Sequence, residues 1–161
     1  MWSKTLGGIN KVTKYMTSGF LIVMVVIIFL QIVSRIVIQS SFSWTEELAR
    51  FLMIWLTFLG AAFSFQHGAH IGISMLTDKL PKKVSAIITL LVGILCSVLF
   101  VILTVKGFEL VGKSANQTSP AMRIPMSYVY WVIPISGVLL TLNVADVSVR
   151  QMITLWKGER T

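Results

Sequence analysis

Charge is what this chain has least of. Asp, Glu, Lys and Arg make up 12% of its 161 residues, six of them acidic and fourteen basic. With 55% hydrophobic residues and a mean hydropathy of +0.83, too little polar material remains to cover a soluble core. Cysteine is reduced to Cys96, which excludes an internal disulfide, and one Cys with two His cannot furnish a four-ligand zinc site. Strict apolar/polar alternation is missing from the apolar runs, which excludes transmembrane β-strands. No nucleophile stands beside a base, and no metal cluster or phosphate loop is present, so neither an enzyme nor a cofactor carrier is expected. The middle of the first apolar run carries no acid, so the signature of a small proton-coupled exporter is lacking. Broken helices in repeated halves, expected around a carrier's midplane substrate and ion sites, are lacking too.

What is present is four long apolar runs, at residues 16–38, 48–65, 84–105 and 128–149. At about 1.5 Å per helical residue, each covers or nearly covers the roughly 30 Å of bilayer hydrocarbon. Inside lipid the backbone must satisfy its own hydrogen bonds, so unbroken runs mean helices. The expected fold is all-α: one domain over 1–161, an integral membrane bundle of four transmembrane helices at about 16–38, 44–66, 83–110 and 126–150. The apolar stretch from Phe20 to Leu30 continues through Ile38 without a small-x-small cleavage site, so the first run is expected to stay as an anchor.

Basic residues orient the chain, because Lys and Arg beside a span are retained on the cytoplasmic side. Lys4, Lys11, Lys14, Lys79, Lys82, Lys83, Arg150, Lys157 and Arg160 fall on one side, and Arg35, Arg50, Lys106, Lys113 and Arg123 on the other. Both termini are therefore expected in the cytoplasm, with two short loops on the outer face. The net charge of +8 reads as membrane orientation. No patch mixes these lysines with stacking aromatics, so nucleic acid is not an expected partner.

Near the outer end of the first helix, Gln31, Ser34 and Arg35 recur at helical spacing; Arg35 either snorkels to the headgroups or pairs with an acid of the next element. That element opens Ser43-Trp44-Thr45-Glu46-Glu47-Leu48-Ala49-Arg50, where Ser43 and Glu46 fit a capping box. Arg50 is four residues from Glu46 and three from Glu47, within reach of either. The cluster either caps a helix at the water interface or packs against another subunit. Arg50 already lies inside the apolar run, and Trp55 and Thr57 follow at depth, which favours protein over lipid as the neighbour. Gly60-Ala61-Ala62, Gly93, Ser97, Gly137 and Thr141 are expected to let helices of the bundle approach closely. His67 and His70 lie at a membrane edge with Gly68 between them and no third ligand, so they suit neither a metal nor a haem.

Lys106, Glu109 and Lys113 share a helix face, so the third helix should project beyond the membrane. Residues 114–125 form the longest polar outer segment, with Asn116-Gln117-Thr118 matching a glycosylation acceptor. Tyr128, Tyr130 and Trp131 open the last helix as an aromatic belt, Trp44 fits the outer interface, and Trp2 and Trp156 the inner one. Pro134 should kink the last helix near its start. Asp146 and Arg150, four apart, read as a pair at its inner end.

Together these segments resemble the small membrane subunit of TRAP transporters, the tripartite ATP-independent periplasmic carriers. The resemblance lies in Trp44-Thr45-Glu46-Glu47-Leu48-Ala49-Arg50 continuing through Trp55 and Phe58 to Gly60-Ala61-Ala62. It resumes at Gly68, His70-Ile71 and Ile73, and again from Ser119-Pro120 to Ile124-Pro125. Ser74 departs from it, standing where many relatives carry an acid. The resemblance implies a bacterial inner-membrane subunit that pairs with a large permease subunit holding the sodium and substrate sites and moving as an elevator. The small subunit would brace the scaffold, embedded in membrane lipids, and help dock a periplasmic substrate-binding protein. The cargo would be an organic acid, sialic acid or otherwise a C4-dicarboxylate. It assigns Trp44, Glu46, Glu47, Arg50 and Trp55 to the permease contact. Gln117, Ser119 and Arg123 are assigned to docking, the plainer reading of their loop being a solvated turn. The rival functions are an autonomous homo-oligomeric transporter and a membrane assembly factor.

Overall fold

A computed structural model describes residues 2–37, 42–77 and 82–157, with side chains described over a smaller set. Five helices follow in order: α1 Trp2–Val37, α2 Ser43–Thr77, α3 Lys82–Lys113, α4 Met126–Tyr130 and α5 Val132–Lys157. Four stretches are long and apolar enough to cross a membrane: Leu6–Val37, Ser43–Phe65, Leu90–Lys113, and Met126–Ser148, which joins α4 to α5. The protein is thus an all-helical membrane bundle. Among the described residues extended pairing is limited to an isolated bridge between Thr118 and Pro125.

The helices outrun the apolar runs. Helix α1 begins at Trp2 rather than near 16, and α2 continues through Gly68 to Thr77. An α-helix of 36 residues is about 54 Å long, well beyond the hydrocarbon thickness, so α1 must tilt, project from the bilayer or both. The amino-terminal extension of α1 is fixed by packing. Leu6, Asn10 and Thr13, spaced four and three apart, are buried on one face.

The helices stand in a row: α1 packs on α2, α2 on α5, and α5 on α3, while α1 and α3 do not meet among the described residues. Helices α2 and α5 are therefore interior, and the span joining α4 to α5 is the most buried, at 44% against 6% for the spans of α1 and α3. The edge helices turn apolar stripes outward, Ile22, Val26, Phe29, Val33 and Ile36 on α1 and Ile87, Leu91, Ile94, Val98 and Val105 on α3. In water such stripes would drive aggregation; in a bilayer they face acyl chains or another apolar surface.

Close approach joins α3 to α5. A Cβ placed on Gly107 would sit 2.9 Å from both Cδ and N of Pro134, and one on Gly137 would sit 3.2 Å from Cα and N of Thr104. Pro134 also explains why the fourth span is two helices. Lacking an N–H, it leaves the Tyr130 carbonyl without its helical donor, and the chain breaks at Trp131 before helical bonding resumes. Edge-on ring contacts back up the packing, Phe108 with Trp131 at 5.7 Å and Phe65 with Phe100 at 5.5 Å between centroids.

At the end of the row where α1 starts, a reciprocal amide pair ties α1 to α5. Asn10 Nδ2 donates to Asn143 Oδ1 at 2.8 Å, and Asn143 Nδ2 donates to Asn10 Oδ1 at 3.2 Å and to the Ala62 carbonyl of α2 at 2.9 Å. Both amides are almost fully buried, so each needs the other.

Enlarging Gly137 should force α3 from α5. Gly137→Leu is expected to lower folding stability by about 1–3 kcal/mol. Gly112→Ala, where an added methyl meets nothing within 4 Å, should leave stability equal or slightly raised. Thermal unfolding of the purified protein in detergent checks both.

Candidate functional site

Charge gathers at the opposite end of the row, where α1 ends, α2 begins, and α3 and α4 flank the loop 114–125. The first turn of α2 organises it. Thr45 bonds back to the Phe42 carbonyl through its N–H at 3.0 Å and its hydroxyl at 2.7 Å, which fixes the entry to the helix. Glu46 and Glu47, adjacent in sequence, then point in different directions, as neighbours on a helix must.

Glu46 faces α1. Its Oε1 accepts a bond from Gln31 Nε2 at 3.1 Å and lies 3.6 Å from the Arg35 guanidinium, while Oε2 lies 3.7 Å from that of Arg50. One carboxylate thus stands between two guanidiniums, whose side chains are about 70% exposed. Of the two expectations for Arg35, the structure shows the ion pair. Ser34, beside it on α1, is buried.

Glu47 faces the loop. It is 9% exposed, and its Oε2 accepts bonds from the backbone N–H of Ala121 at 3.1 Å and of Met122 at 2.7 Å. The loop also closes on itself: Ser119 N–H donates to the Ile124 carbonyl, Arg123 N–H to the Ser119 carbonyl, and Ile124 N–H to Ser119 Oγ. At its base Met126 N–H donates to the Gln117 carbonyl at 2.8 Å. Arg123 sits at φ 53°, a left-handed backbone that a residue with a Cβ adopts only when its surroundings hold it there. Across the rim, Glu109 bridges Lys106 at 2.8 Å and Lys113 at 2.7 Å on the last turns of α3.

The residues assigned from sequence to the permease contact therefore separate. Trp44 and Arg50 are exposed, and Glu46 is half-buried between α1 and α2. Trp55 is half-buried one layer deeper, edge-on to Phe20 of α1 with centroids 5.9 Å apart. Glu47 is turned away from them. Of the docking set, Gln117 and Arg123 are exposed, whereas Ser119 is buried inside the loop it closes. Sequence reasoning did not find the bond from Glu47 to the loop, which joins positions 74 and 75 residues apart. Nor did it find the Asn10–Asn143 pair; the available signal was the Leu6, Asn10, Thr13 spacing ahead of the apolar run. Asp146 is buried on α5, and Arg150, its expected partner, lies outside the residues whose side chains are described. The side chains of His67, His70 and Ser74 lie outside them as well.

Membrane-length helices with charge confined to their two ends define a multi-pass membrane protein. Residues 24–156 match the model of the DctQ component of the tripartite ATP-independent periplasmic transporters, and the chain belongs to that family, a family of transporter subunits in the bacterial inner membrane. It is 30% identical over 154 residues to a TRAP transporter small permease protein of Haemophilus influenzae, the match covering 94% of each chain. It is 26% identical to the sialic acid TRAP transporter small permease protein of Vibrio cholerae, over 84% of this chain and 78% of that one. It is also 28% identical to the isethionate TRAP transporter permease protein of Oleidesulfovibrio alaskensis, where 62% of this chain covers 16% of a far longer polypeptide. In that relative, a segment like this subunit is part of the permease chain itself.

The ion pairs of Glu46 with Arg35 and Arg50 are too wet and too long to hold the bundle together. Arg35→Ala and Arg50→Ala should each change folding stability of the isolated subunit by less than about 1 kcal/mol, measured by thermal unfolding in detergent.

Proposed function

We propose that this chain is the small accessory permease subunit of a sodium-coupled TRAP transporter for an organic acid. It braces the scaffold of a large permease subunit, which carries the solute and sodium sites, and it has no catalytic role. The observation that carries this reading is the family match over residues 24–156, read with a row of helices whose two edges expose continuous apolar stripes. Such a row offers flat sides to a larger body and to membrane lipids. The relative in which a similar segment lies inside a longer permease chain supports a permease as the neighbour. Sialic acid is our choice of cargo, supported by the Vibrio cholerae relative's name.

With nine basic residues on the side of the termini and five on the loop side, both termini lie in the cytoplasm and the rim of α2 faces the periplasm. On that face Trp44, Glu46 and Arg50 meet the permease at the membrane surface, with Trp55 beneath them. Glu47 is set apart from that contact, because its carboxylate is taken up by the loop. Gln117 and Arg123 present that loop to the soluble substrate-binding protein, and Ser119 shapes it.

Reconstituted alone, the subunit should move no solute, and uptake should appear only when the large permease and the binding protein are added; transport by the subunit alone would favour an autonomous homo-oligomeric carrier. Arg50→Glu should cut recovery of the permease in co-purification several-fold, far beyond its effect on the subunit's own stability, and wild-type recovery would remove Arg50 from the contact. Arg123→Glu should lower uptake several-fold while co-purification stays at wild-type yield; undiminished uptake would remove the docking role of the loop.

A further inference from the structure

Glu47 is an acid at nine-tenths burial whose carboxylate reaches a distant turn of backbone. Two successive N–H groups, of Ala121 and Met122, converge on its Oε2, forming the kind of concave backbone pair that elsewhere cradles a free anion. Here the anion is supplied by the chain itself. The three bonds among Ser119, Arg123 and Ile124 close the turn locally, and the Gln117–Met126 bond closes its base. The bonds to Glu47 differ in kind, because they tie the tip of the turn to a different helix. That tie opposes the relaxation of Arg123 from its left-handed backbone. Gln117 and Arg123, the exposed side chains flanking the tip, are therefore aimed by a residue bonded to the turn between them.

We propose that Glu47 is the positioning residue of the docking loop: by holding the N–H groups of Ala121 and Met122 it sets the one loop shape that the binding protein meets. This rests on the docking role proposed for the loop. Because Glu46 and Glu47 occupy one helical turn, the rim that meets the permease and the loop that meets the binding protein share a rigid base.

The experiment compares Glu47→Leu, which keeps bulk and removes the acceptor, with Glu47→Gln, which keeps an acceptor oxygen. Both are assembled with the large permease. Hydrogen exchange of residues 119–124 is measured in the complex, and uptake is titrated against soluble binding protein. Glu47→Leu should speed exchange at Ala121 and Met122 by about tenfold, since two partly buried donors lose their partner. It should also raise the half-saturating binding-protein concentration several-fold, with maximal uptake and co-purification unchanged. Glu47→Gln should stay close to wild type in both readouts, which a role resting on net charge would not allow. Should Glu47→Leu fail to assemble, Glu47→Asp, which withdraws the oxygen by one methylene, carries the same comparison. Unchanged exchange in the leucine variant overturns the proposal, and so does faster exchange with an unchanged half-saturating concentration. If Arg123→Glu is silent as well, the docking role of the loop is what has failed; if Arg123→Glu impairs uptake, the failure belongs to Glu47 alone.

Discussion

Between helices in a bilayer there is no water to expel, so the force that packs soluble bundles is missing and contact has to come from shape and from hydrogen bonds. Each joint in this molecule is of one kind or the other. Helices α3 and α5 meet through bare backbone at Gly107 and Gly137, where a methyl group would collide with Pro134 and Thr104. Helices α1, α2 and α5 meet through the amides of Asn10 and Asn143 and the Ala62 carbonyl. At the other rim, α1 and α2 share Glu46, and α2 and the loop share Glu47.

The two kinds of joint differ in how they can be exploited. The close backbone joints lie along α3 and α5 and hold a fixed pair. The polar joints among the described residues each fix the position of one element against another. The apolar sides of α1 and α3 take no part in either, and this leaves the flanks of the row free for lipid or for a larger protein. A bundle closed on itself would have hidden them.

That four stretches cross a membrane as helices was legible in the sequence, because the requirement that lipid-embedded backbone pair with itself is written directly into run length. A disturbance at Pro134 was legible for a similar reason, since a missing N–H is a local fact; a kink was expected, and the structure shows two helices. The extensions of α1 back to Trp2 and of α2 to Thr77 were not. Those turns are polar or glycine-containing, and one face of α1's start, at Leu6, Asn10 and Thr13, is buried, Asn10 against a residue far along the chain. The charged cluster of 43–50 was visible, as was the reach of Arg50 to an acid, yet the direction of Glu47 was not. Its partners are backbone N–H groups, which every residue but proline has and which leave no mark in a sequence. Ser119 shows the same limit: a serine in a polar loop reads as surface until the turn is seen to close around it.

The amide joint carries a consequence for how the protein is made. Its two members lie 133 residues apart, so almost the whole chain must be synthesised before Asn10 can meet Asn143. At about 5–20 residues per second the gap is on the order of ten seconds. Until then Asn10 has no Asn143 to pair with, and the place that α5 takes between α2 and α3 is unfilled. The order of emergence from the ribosome thus leaves an interior rod of the row to be installed after both of its neighbours, as a keystone is.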